Sequence, residues 1–376
     1  MIHLLSSLLL AVLSPALQET TKSPWIWPLS GDFYAPRELL ETHGQPQLLT
    51  NSVLLHRGID IKANWYVVPW GGSVNGPPFG ILTKTESETV RSCFDGVVRY
   101  VHTGEDESGW SNQVVVSPAS DSDWGLRYLH LESVWVSEGE GVFRGEVLGR
   151  VAMLPDDLDH VHLDLALEEC TAAGGCAKEP LLGNPLPYIS SRPDSVPPYF
   201  GPIGPLGSAS TAPSPSIVFL DSAQDPIEPA PGLSYPTLKG SVDILVRVSD
   251  RFSITGTTGP VNVPLRIRVN VRALYFVLVG IPTPVPPQIH LPLAYSNRIE
   301  FLDPIADADS ASCYRAGMGL FDSTDEDFYV IATNGIASEG AWDTTKSASG
   351  VYAVEVTAED AAGNLSTTDA FVWVKN

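Results

Sequence analysis

Residues 159–165, DHVHLDL, hold two histidines two positions apart in a run whose alternate positions are apolar. Extended backbone sends successive side chains to opposite faces, so His160 and His162 share one face, roughly 6.5 Å apart, while Val161, Leu163 and Leu165 line the other. Burying the apolar face carries both imidazoles to the rim of a core. Two imidazoles aimed at one point are costly to desolvate unless something binds them, and the commonest partner of neutral imidazole is a metal ion. The stretch therefore demands a half-buried strand with a ligand-bearing face.

The two-residue period recurs through the chain. Segments 53–61 (VLLHRGIDI), 96–101 (GVVRYV), 113–117, 126–131 (LRYLHL) and 147–152 each read as strands bounded by Gly, Asp or Ser. Residues 261–273 alternate strictly, with Val261, Val263, Leu265, Ile267, Val269 and Val271 on one side and Asn262, Arg266, Arg268, Asn270 and Arg272 on the other. The last segment, 350–376, is two alternating runs joined by a turn at 360–364, an antiparallel hairpin. With 32 Gly and 32 Pro to punctuate such runs, the expected fold class is all-β. Residues 62–90 show neither period and read as a long surface loop, whose Trp65, Tyr66, Trp70 and Phe79 either wall a cleft or pack on one another. Residues 193–215 are dense in Pro, Gly and Ser and read as a semi-rigid linker between a unit at 24–192 and a sandwich at 216–376.

A formal charge of −22 excludes nucleic acid and anionic membrane surfaces as natural partners, since both require a basic face. Residues 1–16, MIHLLSSLLLAVLSPA, have a short apolar core ending in small residues, the pattern of a signal peptide cleaved near Ala16. The apolar run falls below the roughly 20 residues that a membrane span needs, so the mature chain is expected to be secreted, periplasmic or extracellular. In that compartment Cys170 and Cys176, flanking TAAGG, are expected to form a local disulfide, and Cys93 and Cys313 to be buried thiols.

Chemistry concentrates in three motifs. HRGID supplies His56 and Asp60, with Gly58 between them to let the backbone bend. Adding His162 gives two imidazoles and one carboxylate, the donor set of a catalytic zinc site, which leaves one corner of the tetrahedron for water. The long gap between Asp60 and His162 is no obstacle, because each doubling of a closed loop costs only about 0.6 kcal/mol. HxxxD and HxH are each weak signals alone. Their joint occurrence, in that order and with YLHL between them, is specific.

HRGID, YLHL and HVH together resemble the lysostaphin-type (LytM-domain) zinc endopeptidases, whose pattern is HxxxD, YxHL and HxH. The resemblance extends to TVRSCFDGVVRYV around Asp95 and Gly96 and to VSEGEGVFRGEVLGRV at 136–151, and covers roughly residues 28–167. It implies an antiparallel β-sheet domain with an open groove, Zn2+ held by His56, Asp60 and His162, and a catalytic pair, His130 and His160. The implied activity is hydrolysis of peptide bonds, with peptidoglycan cross-links as the substrate class. The alternatives are a LytM-like non-catalytic activator or wall-binding protein, an endopeptidase of glycine-rich proteins, and an adhesive exoprotein. The chain departs from the family where residues 62–89 intervene after HxxxD, which in the family runs into a Gly-Thr-Pro-Val stretch within a few residues, and at MLPDDLD (153–159), in place of a Gly- and Thr-rich turn, whose Asp156, Asp157 and Asp159 favour a cationic amine near the site. Residues 216–376 resemble exported immunoglobulin-like sandwiches through AVEVTAEDAAGN. There Asp303, Asp307 and Asp309, or Asp322, Asp325 and Asp327, offer hard oxygen donors for calcium or else form solvated acidic loops. The Arg266, Arg268 and Arg272 stripe is either a solvated face or a contact for an acidic polymer.

Overall fold

The computed structural model describes residues 25–29, 39–41, 45–49, 52–63, 67–69, 79–81, 87–104, 112–118, 124–153, 159–166, 170–171, 175–176, 182–189, 196–203, 215–251, 261–274, 295–301, 312–315, 328–336 and 338–376. The leader at 1–16, Trp65, Tyr66, Trp70, Asp156, Asp157 and both candidate calcium clusters lie outside them. Among the described residues the regular structure is β, interrupted only by the single 3-10 turns Leu186–Tyr188 and Thr344–Lys346, and the sheets are antiparallel but for one pairing. No helix of the described residues is long and apolar enough to cross a membrane.

The first sheet has ten strands: β1 (Leu39–Glu41), β2 (Ile59–Lys62), β3 (Thr89–Arg91), β4 (Gly96–His102), β5 (Asn112–Ser117), β6 (Gly125–Val134), β7 (Gly141–Val142), β8 (Val147–Val151), β9 (His160–Ala166) and β10 (Leu182–Gly183). Their order is β1-β2-β9-β6-β5-β4-β7, with β8 pairing β6 and β3, and β10 pairing β9. The inward Val, Ile and Leu side chains of these strands build one core with Trp25, Phe94 and Trp124. Trp25 stacks on Trp124 at 5.7 Å between ring centroids, and its N–H donates to Tyr188 O, so the two ends of the unit close on each other.

Two further sheets share a second core. One has six strands: β11 (Tyr199–Gly201), β12 (Ile217–Leu220), β14 (Ser241–Arg251), β15 (Val261–Asn262), β18 (Phe328–Ile331) and β19 (Trp342–Asp343). The other runs β13-β21-β20-β16-β17, formed by β13 (Thr237–Leu238), β16 (Arg266–Leu274), β17 (Tyr295–Glu300), β20 (Gly350–Glu359) and β21 (Leu365–Val374). Ile244, Val246 and Val248 of β14 meet Ile267, Val269 and Val271 of β16 and Val354 and Val356 of β20 in one buried cluster, the arrangement of a sandwich. The terminal hairpin is as the alternation predicts. Asp360 Oδ1 accepts hydrogen bonds from the N–H groups of Ala362 and Asn364, and Gly363 takes φ 86° in the turn.

Three details differ from the sequence reading, and the arginine stripe keeps to the solvated face that it allowed for. The alternating run at 261–273 is two strands, because Pro264 has no N–H to give a ladder; β15 pairs β14 in one sheet and β16 pairs β20 in the other. Part of the Pro-rich segment after residue 193 is the edge strand β11, which pairs with β14 and is bracketed by Pro198 and Pro202. Within 62–90, Val67–Pro69 and Phe79–Ile81 pair as a hairpin too short to show a period. The arginine stripe is matched by acids on neighbouring strands: Arg266 and Arg268 reach Glu359, and Arg272 reaches Glu355. Cys93 and Cys313 are free and buried, and Cys170 lies opposite Cys176 in a two-stranded ribbon.

The two cores touch near the histidine motifs. Leu55, the residue before His56, is 4% exposed and belongs to the sandwich core. β1 lies against β15, and Asn184 Nδ2 donates to Phe301 O at 3.2 Å.

Candidate metal centre

Three adjacent strands of the first sheet bring the motifs together. His162 on β9 lies directly opposite Asp60 on β2, and Leu129 on β6 lies opposite His162 on its other side. His56 reaches the same point from the bend before β2. Its N–H donates to Gln45 O at 2.7 Å. Gly58 makes the bend possible, with φ 145° and so little room that a Cβ would come within 2.7 Å of His162 Nε2.

The donor atoms form a small triangle. His56 Nε2 is 3.2 Å from His162 Nδ1 and 3.3 Å from Asp60 Oδ1, and Asp60 Oδ1 is 2.7 Å from His162 Nδ1. Ligands about 2.05 Å from a tetrahedral zinc are separated by about 3.3 Å, which the two edges from His56 match, while the Asp60–His162 edge has the length of a hydrogen bond and would have to open by about 0.6 Å for the three to occupy one face of such a tetrahedron. These three are the group among the described residues that could hold a metal ion. His56 and Asp60 are buried, at 5% and 7% exposure.

His160 and His130 stand beside the triangle. His160 shares the face of His162, with its Nε2 3.6 Å from Asp60 Oδ2. His130 comes from β6, where the pairing to β5 skips between Tyr128 and Leu131 and the pairing to β8 shifts between Leu131 and Ser133. At this irregularity His130 takes φ 62°, a left-handed conformation that costs a residue with a Cβ about 1 kcal/mol or more. Its ring then lies edge-on to His160, centroids 4.6 Å apart, and 5.9 Å from that of His162. Tyr128 of the YLHL motif is fully buried and holds β6 in place by accepting a hydrogen bond from Cys93 N at 2.8 Å.

The charges in the site are sharply tuned. Burial works to raise the Asp60 pKa, but His56 and His162 override it and hold the carboxyl well below its ordinary value. Burial together with the neighbouring His160 and His162 pulls His130 down to about 3, so its ring is neutral at physiological pH. For His162 burial acts downward, yet hydrogen bonds from its ring to Asp164 and Asp60 push it up to about 9. Asp164, also lifted by burial, is drawn down to about 2 by Arg127 and His162.

The five residues expected as ligands and catalytic pair, His56, Asp60, His130, His160 and His162, thus lie together. Asp164 and Arg127 were missed. Asp164 is fully buried beside His162, and the signal was available: in HVHLDL it is the next residue on the face of His160 and His162, a carboxylate where a core strand has no other reason for one.

Residues 78–172 match the model of peptidase family M23, and the chain carries a LytM-type peptidase domain. That segment includes His130, His160 and His162, while His56 and Asp60 precede it. Among solved structures, the catalytic domain of lysostaphin from Staphylococcus simulans is 18% identical, over 43% of this chain and 99% of its own, with TM-score 0.29. A point mutant of the catalytic domain of the prophage-encoded M23 protein EnpA from Enterococcus faecalis is 18% identical over 43% and 95%, with TM-score 0.28. Csd3 from Helicobacter pylori is 16% identical over 45% of this chain and 35% of its own, with TM-score 0.28. Comparison with curated proteins yields no match.

Proposed function

We propose that this chain is an exported zinc metalloendopeptidase that hydrolyses peptide bonds, with peptidoglycan cross-links as substrate. The observation that carries the reading is the triangle of His56 Nε2, Asp60 Oδ1 and His162 Nδ1, with edges of 3.2, 3.3 and 2.7 Å and two further imidazoles at its side. Two nitrogens and one carboxylate oxygen suit zinc and leave one position for solvent. Zinc, when bound there, supplies the Lewis acidity that lowers the pKa of water to about 7 and polarises a carbonyl.

The remaining work falls to the two other histidines. His130, kept neutral, suits the donation of an N–H to the oxygen on which negative charge develops as the carbonyl is attacked. His160 suits the role of base: it takes the proton of the attacking water and returns it to the amine nitrogen as the C–N bond breaks. Retention of all five side chains favours hydrolysis over a purely binding role. In the same reading, residues 1–16 are a cleaved leader, 24–192 form the peptidase unit, 193–215 connect it, and 216–376 form an immunoglobulin-like sandwich that spaces or anchors it.

Purified mature protein should digest peptidoglycans of some cross-link types and release new amino ends identifiable by mass spectrometry. Chelation should abolish this and zinc should restore it. Intact cross-links across all types tested, in protein that holds zinc, would remove the substrate assignment.

A further inference from the structure

We propose that Asp164, clamped by Arg127, is a positioning residue that dictates which nitrogen of His162 faces the metal. The proposal rests on the zinc reading above and goes beyond it to the second carboxylate of the HVHLDL strand.

Both groups near His162 Nε2 are pure acceptors: Asp164 Oδ2 at 3.1 Å and Arg57 O at 3.2 Å. Only a proton on Nε2 satisfies them; the proton that Nδ1 shares with Asp60 Oδ1 at 2.7 Å is the one a metal would displace, which leaves the Nδ1 lone pair directed at the donor triangle. A histidine ligand that gives its other N–H to a carboxylate is fixed in tautomer and ring orientation, and its basicity toward the metal rises. Arg127 fixes the carboxylate in turn. It lies opposite Asp164 across the β6–β9 ladder, with Nε 3.0 Å from Oδ1 and Nη2 2.7 Å from Oδ2, a two-pronged grip that stops the carboxylate rotating. The Asp164 side chain has no exposed surface, so the sheet keeps an ionised group in its interior beside the candidate ligand. An ion pair that served only the packing of β6 on β9 would have no need to turn an oxygen toward a candidate ligand.

The test uses full-length protein and two readouts other than hydrolysis. One is zinc affinity measured by competition with a chelator. The other is nitrogen NMR of labelled histidines in the zinc-loaded protein. Wild type should show His162 protonated at Nε2 and bound through Nδ1. Asp164→Asn should weaken zinc binding about 10- to 100-fold, and Arg127→Gln several-fold, with β circular dichroism retained. Arg127→Gln alters a side chain that is 15% exposed and leaves the carboxylate in place, so it decides the matter if Asp164→Asn fails to fold. Zinc affinity within twofold of wild type in the folded variants, or His162 bound through Nε2, would overturn the proposal and leave the metal site standing. Wild type that binds no zinc would overturn both.

Discussion

Asp60 and His162 face each other across the β2–β9 ladder with Oδ1 and Nδ1 2.7 Å apart, so one register of one strand pair sets two of the three candidate ligands. Register in a half-buried sheet is strongly specified, because a slip of one residue would turn the apolar face to solvent. The site therefore inherits its geometry from the hydrophobic pattern of the strands.

Removal of His162 should abolish metal binding, whereas removal of His160 or His130 should not. We expect about one zinc per chain in wild type, in His160→Ala and in His130→Ala, and essentially none in His162→Ala. Hydrolysis should fall at least 100-fold in all three. Metal analysis of the dialysed proteins checks the first point, and stoichiometric zinc in His162→Ala would contradict it.

The metal-free protein should lose stability as pH rises from neutrality. His162 has a folded-state pKa raised to about 9, against an ordinary unfolded value near 6.5. Its contribution is therefore complete below pH 6.5 and disappears as pH climbs through 9. His130 works in the opposite sense, but its contribution changes chiefly below pH 7, since its folded pKa is about 3. The net loss between pH 7 and 8.5 should be roughly 1–2 kcal/mol. Urea unfolding of chelator-treated protein measures it; a flat profile would remove the charged pairing of His162 with Asp60 and Asp164.

Gly58→Ala should damage the site without touching a ligand. The new Cβ would press on His162 Nε2 at 2.7 Å, from a backbone at φ 145° that alanine rarely adopts. A destabilisation of about 2 kcal/mol or more is expected, together with loss of zinc affinity. Thermal unfolding with and without zinc reports both effects, and an unchanged metal affinity would show that the bend tolerates the change.

His130→Gly and His130→Ala should separate chemistry from backbone strain. Both lack the ring, so both should be inactive, yet glycine accepts φ 62° at no steric cost. His130→Gly should be the more stable of the two by about 1 kcal/mol. Equal stabilities would mean that the left-handed conformation carries no penalty.

Much of the site was legible because period-2 patterns place side chains on faces. His160 and His162 could be put side by side from HVH alone, and the all-β class followed from the alternating runs. Three things were not legible, each for a physical reason. The position of His130 depends on a slip in strand pairing, which no local periodicity records. Arg127 meets Asp164 through the pairing of β6 with β9, a long-range register. The split at Pro264 was visible as a proline, but the choice of two different sheets for the two pieces depends on what each packs against.

The burial of Leu55 in the distal hydrophobic cluster gives the molecule a property that neither half would have alone. The backbone amide next in line belongs to His56, so loosening of the carboxyl-terminal layers would reach the candidate metal site through a single peptide link. A fragment cut away from those layers would carry an uncovered leucine beside a candidate ligand, and any metal it held should be lost on heating before its β-structure melts.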